Sequence, residues 1–234
     1  MDFDPNRPTV KPRDAATVIL LRARSQDGAA EVFLLRRHRG ASFMAQAFVF
    51  PGGARDGDED LRQTAARELS EEANVRLDAA SLVPFAHWIT PSAEKKRFSA
   101  HFFVGVLPEG AEPRFDGAET VEQLWVTPED ALARSLELNL PPPQLRTLHD
   151  LREVARRGPA AVLAFARVRE KQIRPIVPRL ALIEGAPNGF ALLAPWDPEY
   201  TTIGLGEGEP FPADHPFAGG PSRFFMEGTA WRHV

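Results

Sequence analysis

Glu68, Glu71 and Glu72 are the residues of this sequence whose spacing could do chemistry. On a helix advancing about 100° per residue, the three fall within an arc of roughly 100°. Ala66, Leu69 and Ala73 point the other way, toward a core. Like charges at this spacing repel, and they sit late in the helix, where the macrodipole also disfavours anions. Arg67 is the one basic residue in the cluster. A divalent cation would offset the repulsion better. Clustered carboxylates without sulfur suit Mg²⁺ or Mn²⁺, which share their coordination shell with water and substrate phosphates. Such an ion polarises phosphoryl oxygens and activates water. The competing reading is a solvated acidic face, the usual fate of a charge run.

Just upstream, the apolar run Ala47–Phe50 leads into Pro51-Gly52-Gly53, with Gly57 a second flexible point. Two glycines allow close approach of a phosphate to the backbone, where other residues would intrude. This reads as strand, glycine-rich loop and acidic helix, a platform for a metal–diphosphate complex.

Residues 53–75 then resemble the Nudix box, Gly-x5-Glu-x7-Arg-Glu-U-x-Glu-Glu-x-Gly-U, where U is a bulky apolar residue. Gly53, Glu59, Arg67, Glu68, Leu69, Glu71, Glu72 and Val75 fall at the required spacing. Asn74 stands where the family has glycine, a change at the helix cap that a left-handed asparagine tolerates. The resemblance implies an α/β/α sandwich around a mixed β-sheet. It implies Glu68 and Glu72 as metal ligands, with Glu71 a further or water-mediated ligand. Arg67 would orient the glutamates and Glu59 support the loop through a charge pair. Water would attack one phosphorus of a diphosphate and release two monophosphate-ended products. The general base varies in position within the family; Glu119, just before an apolar strand, is the first candidate and Glu122 the second.

The flanks Arg36–Gly53, Trp88–Gly105 and Leu138–Leu151 resemble a coenzyme A diphosphatase branch found in peroxisomes and its bacterial relatives. CoA or acyl-CoA is therefore the first expected substrate, with ADP-ribose or an NADH-type dinucleotide as alternatives. Gly52 and Gly53 are expected at the phosphates. Arg97 is a candidate phosphate contact, and Phe98 or Trp88 a candidate stacking face for adenine. The alternative for these three is an exposed arginine and two core aromatics. His38 and Arg39 read as an exposed basic loop, His87 and His101 as packed histidines, and Trp196 and Trp231 as packing residues.

The elements that must position these residues follow from periodicity and turn signals. Strands are expected at Ala15–Arg22, Glu31–Arg37, Ala47–Phe50, Leu82–Ile89, Phe98–Leu107 and Val121–Val126. Helices are expected at Leu61–Ala73, capped by Asp58 or Asp60, after Thr127-Pro128, and at Pro141–Arg157 and Pro159–Arg169. A hairpin fits Leu180–Glu184 and Phe190–Leu193, and the tail after Pro195 reads as irregular. The fold class is mixed α+β. Residues 1–14 read as a mobile arm, 15–174 as the hydrolase domain, and 175–234 as a Pro- and Gly-rich extension that covers the pocket or joins a homodimer.

The 234 residues include no cysteine, which excludes disulfides, thiolate metal sites and thiol nucleophiles. The formal net charge of -4 argues against broad nucleic-acid binding. No apolar run suits a membrane span, and the polar N-terminus lacks a secretory pattern, so a cytoplasmic location is expected. The expected partner is a small nucleotide-diphosphate. The competing function of another class is a catalytically silent nucleotide-sensing module, against which the intact glutamates argue.

Overall fold

The computed structural model describes residues 8–41 and 44–234. Residues 1–7 of the expected arm therefore lie outside the described residues. The first strand, β1 (Arg13–Ala23), begins two residues before the expected Ala15. It sits inside an eight-stranded mixed sheet with β2 (Ala30–Arg37), β3 (Phe48–Val49), β4 (Gly52–Ala54), β5 (Val83–Ile89), β6 (Phe98–Val106), β7 (Thr120–Val126) and β8 (Pro175–Ile176). The backbone of the sheet runs β3-β2-β1-β6-β5-β8, with β4 also on β1 and β7 also on β2. β1 and β6 are parallel, as are β5 and β8; the other pairs are antiparallel.

From Ala15 to Leu21, β1 is apolar at every position but Thr17, because both of its faces are covered. Ala16, Val18 and Leu20 pack with Ala65, Leu69 and Ala73 of the helix α1 (Leu61–Ala73). Ile19 and Leu21 belong to the larger core on the opposite face, with Leu148 and Leu151 of α3 (Pro142–Ala155) and Val162 and Ala166 of α4 (Pro159–Glu170). This alternation makes the α/β/α sandwich. Burying a side chain such as Leu69 contributes about 1.5–3 kcal/mol. A short helix, α2 (Pro128–Ala133), starts at Thr127, whose hydroxyl accepts from the Asp130 N–H at 3.1 Å.

α1 spans the expected residues. Asp60 caps it, accepting from Arg62 N and Gln63 N, while the Gln63 side chain accepts from the Asp60 N–H at 2.8 Å. Asn74 ends it at φ 55° and ψ 32°, the left-handed conformation that glycine usually takes.

Two expectations are corrected. Pro51-Gly52-Gly53 does not lead into a free loop: Gly52–Ala54 is a strand, paired with β1 through Thr17 and Ala16. The stretch after Pro195 is irregular only as far as Ser222. Beyond it, β11 (Arg223–Glu227) and β12 (Ala230–His233) join the hairpin of β9 (Arg179–Leu182) and β10 (Phe190–Leu193) in a four-stranded antiparallel sheet. Leu180, Leu192, Phe224 and Trp231 of that sheet share the larger core with α3 and α4.

A buried ionic group fastens the C-terminal region to those helices. Asp150 accepts from Arg146 at 2.7 Å and from Arg169 at 2.6 Å. Arg146 also donates to the carbonyl oxygens of Phe217 and Gly219, and the Arg169 guanidinium lies 3.6 Å from the centre of the Phe217 ring. No described helix is long and apolar enough to cross a membrane.

Candidate active site

α1 lays its second half beside β4. Glu72, on the turn after Glu68, is buried, and its carboxylate accepts from the Gly52 N–H at 2.9 Å. Glu68 stands over Gly53, so close that only a hydrogen fits there. The short strand and the helix therefore hold each other through a carboxylate–backbone bond and a missing side chain.

Arg67 is the hub of the exposed edge. Its Nε donates to Glu59 at 2.9 Å, its Nη1 to Glu68 at 2.8 Å and Glu71 at 2.9 Å, and its Nη2 to the Ala54 carbonyl oxygen at 3.1 Å. Arg67 thus ties the loop before the helix to β4 and to two of the three glutamates. The guanidinium holds the Glu59 carboxyl below its usual range, and the Glu59 bond in turn raises Arg67.

The partly buried Glu68 and the buried Glu72 shift the other way from Glu59. Burial pushes Glu68 up, with the neighbouring charges of Glu71 and Glu119 adding to the effect although Arg67 opposes it. Burial pushes Glu72 up to about 7, reinforced by the charges of Glu68 and Glu119. Both groups thus resist ionisation unless positive charge is brought to them.

Among the described residues, no three histidine or acidic side chains already converge as ligands around one point. Glu68 and Glu71 lean on Arg67, and Glu72 leans on Gly52. The donor set nevertheless fits a hard cation: oxygens only, two of the carboxyl groups raised, and no lysine among their bonded partners. A magnesium-like ion needs few protein ligands, because water and phosphate complete its shell.

These glutamates form one end of a cavity of about 530 Å³. Gly52, Gly53, Glu71, Glu119 and Arg37 line the same end. The other end is apolar, with Trp88, Phe98 and Phe102 from β5 and β6, and Pro178 and Leu192 from the C-terminal region. Lys96 sits over the Phe98 ring at 5.6 Å. The C-terminal region thus supplies part of the cavity wall.

The remaining expected residues divide. Glu119 lines the cavity and presses its charge on Glu68 and Glu72. Glu122 lies on β7, exposed, 3.2 Å from Arg36, and does not line the cavity. Arg97 is corrected: it is neither a phosphate contact nor an exposed arginine. Its side chain is 1% exposed and donates to the carbonyl oxygens of Thr90 and Val10 and to the Glu207 carboxylate. Three of its five N–H groups are thus spent inside the protein, and the side chain does not line the cavity. His87 and His101 stack at 3.8 Å, with His87 Nε2 2.8 Å from Ser99 Oγ. Burial lowers both histidines, as expected of packed ones.

Arg37, Gln144 and Leu192 are cavity residues that sequence reasoning did not single out. Arg37 and Gln144 lie inside stretches already noted for their resemblance to the coenzyme A branch, which was a usable signal. Leu192 had none, because nothing local tells which face of a hairpin meets a distant cavity.

Comparison with known proteins agrees with this architecture. The family model described as NUDIX domain matches residues 11–151. A curated Caenorhabditis elegans sequence carrying the nudix hydrolase 7 name is 28% identical over 187 residues, covering 61% of this chain and 61% of its own length. The chain therefore spans less than two thirds of that relative. The crystal structure of a NUDIX hydrolase from Alicyclobacillus acidocaldarius superposes with a TM-score of 0.55 at 25% identity, over 62% of this chain and 93% of that one. With the family model matched over more than half its length, the chain belongs to the NUDIX domain family.

Proposed function

We propose that this chain is a divalent-metal-dependent diphosphatase that cleaves the diphosphate linkage of a nucleoside diphosphate derivative. CoA or acyl-CoA is the first substrate, ahead of ADP-ribose or an NADH-type dinucleotide. One observation carries the reading: Glu68, Glu71, Glu72 and Glu119 face a single cavity beside the Gly52–Gly53 backbone. The coenzyme A preference draws support from the resembling flanks, which contribute Trp88, Phe98 and Gln144 to that cavity.

Glu68 and Glu72, with Glu71 beside them, would hold Mg²⁺ or Mn²⁺. Bound there, such an ion neutralises phosphoryl oxygens and acidifies water. Arg67 keeps Glu68 and Glu71 oriented. Gly52 and Gly53 let a diphosphate lie against the strand. Glu119 accepts the proton of the attacking water. As the water oxygen bonds to one phosphorus, the bridging P–O bond breaks, and two monophosphate-ended products leave. The apolar end holds the rest of the substrate away from bulk water.

The test is a panel of CoA, acetyl-CoA, ADP-ribose, NADH and dinucleoside polyphosphates with Mg²⁺ or Mn²⁺. Cleavage is expected with wild type and absent in Glu68→Gln and Glu72→Gln, both of which should remain folded. If no panel member is cleaved with either metal, the hydrolase reading falls and a nucleotide-sensing role replaces it.

A further inference from the structure

The cavity wall carries one buried amide that the hydrolytic chemistry does not use. Gln144 is 6% exposed, lines the cavity, and its Oε1 has no hydrogen-bond partner. A buried polar group left unpaired destabilises the fold that contains it, so such a group is expected to acquire a partner. Nothing among the described residues supplies that partner.

Its position narrows what the partner is. Gln144 is the third residue of α3, after Pro142 and Pro143, with Pro141 as the cap. Helix starts bind phosphate through a group of unpaired N–H donors. Prolines have no N–H, so this helix start is stripped of the donors that an anion would need. What it offers instead is flat apolar ring surface and a single planar carboxamide. Phe98 and Trp88 add aromatic surface to the same cavity.

A carboxamide presents an acceptor and a donor side by side. That pair matches the N6 amine and N7 of adenine, the geometry by which glutamine recognises this base elsewhere. A 6-oxopurine presents two acceptors along that edge and leaves the Gln144 oxygen without a donor.

We propose that Gln144 reads the amino edge of an adenine held at the apolar end of the cavity, so that the site selects adenine over 6-oxopurines. The inference rests on the reading that this cavity takes a nucleoside diphosphate derivative. Because the amide oxygen is unpartnered without ligand, Gln144 trades stability for selectivity.

The experiment is calorimetric titration of the full chain with AMP and with IMP, in the presence of Mg²⁺, together with thermal melts of the free protein. Wild type is expected to bind AMP about tenfold or more tightly than IMP. Gln144→Met, nearly the same shape without the amide, should bring the two affinities within about twofold of each other and leave Tm unchanged or raised. Gln144→Leu serves as a second apolar replacement should the first misfold. Equal binding of AMP and IMP by wild type overturns the inference. So does a preference that survives the substitution, or a fall in Tm with the preference intact, which marks a purely structural amide. Binding needs no turnover, so the outcomes separate. A chain that hydrolyses its substrate but binds AMP and IMP alike loses only this inference; one that discriminates them but cleaves nothing loses only the hydrolase.

Discussion

A methyl group on Gly53 would lie 2.5 Å from the carboxylate of Glu68, whereas one on Gly52 would lie 2.7 Å from the Thr17 Cα. The first obstacle is the tip of a movable side chain, and the second is backbone. Gly53→Ala should therefore fold, with Glu68 pushed aside, and lose about 10²-fold in turnover, the cost of roughly 1 Å of misplacement in a catalytic group. Gly52→Ala should lose about 1–3 kcal/mol of stability or more, since the paired strand cannot yield. Thermal melts alongside initial rates check both; a Gly53→Ala enzyme of normal activity would remove Glu68 from the chemistry.

Glu119 and Glu122 are three residues apart yet differently placed, one on the cavity and the other exposed beside Arg36. Glu119→Gln should lower kcat by about 10²–10⁴-fold, the range for a general base, with little change in KM. Glu122→Gln should behave as wild type, because an exposed ion pair contributes only about 0–1 kcal/mol. Steady-state kinetics of the two variants decide between them.

The parts of the fold read correctly from sequence are those with local causes. α1 announced itself through its candidate caps, Asp58 and Asp60, and the apolar positions Leu69 and Ala73, while the capping box with Gln63 emerged only in the structure. β1 was legible because strands covered on both faces lose their polar alternation. What escaped was non-local. Arg97 reads as a phosphate contact or an exposed arginine because its counter-ion, Glu207, lies 110 residues away. β11 and β12 are five and four residues long, too short for a periodic signal, and are strands only because β10 lies beside them. Within the site, the glutamate spacing exposed the acidic end, while Gln144 and Leu192 depend on how distant segments meet.

His87 is held neutral by burial, with His101 adding to the effect, and titrates near 4 rather than at its ordinary 6.5. Between those values the unfolded chain binds the proton and the folded one does not. The stabilisation is therefore complete above about pH 6.5 and is lost as pH falls toward 4. Wild-type Tm should drop between pH 7 and pH 5 by more than that of His87→Gln, which cannot titrate. Equal drops would mean that His87 is hydrated in solution.

Among the described residues, Asp150 is the one anion bonded to both Arg146 and Arg169, and all three side chains are buried. Asp150→Asn should cost about 3–5 kcal/mol, because it leaves buried cations without a counter-charge. Urea melts measure the loss. Since Arg146 also holds Phe217 and Gly219, the variant should be cut by protease in that segment before the rest of the chain is attacked.

Beside its nearby bond to Thr90, the Arg97 guanidinium joins Val10, 87 residues before it, to Glu207, 110 residues after it. Contacts so far apart in sequence form late in folding, because their loops are the most expensive in entropy to close. A nascent chain on the ribosome would hold this cation without its counter-ion until residue 207 had emerged. A segment made late thus locks one made early, and a chain cut short before Glu207 would bury the Arg97 cation with no carboxylate to meet it.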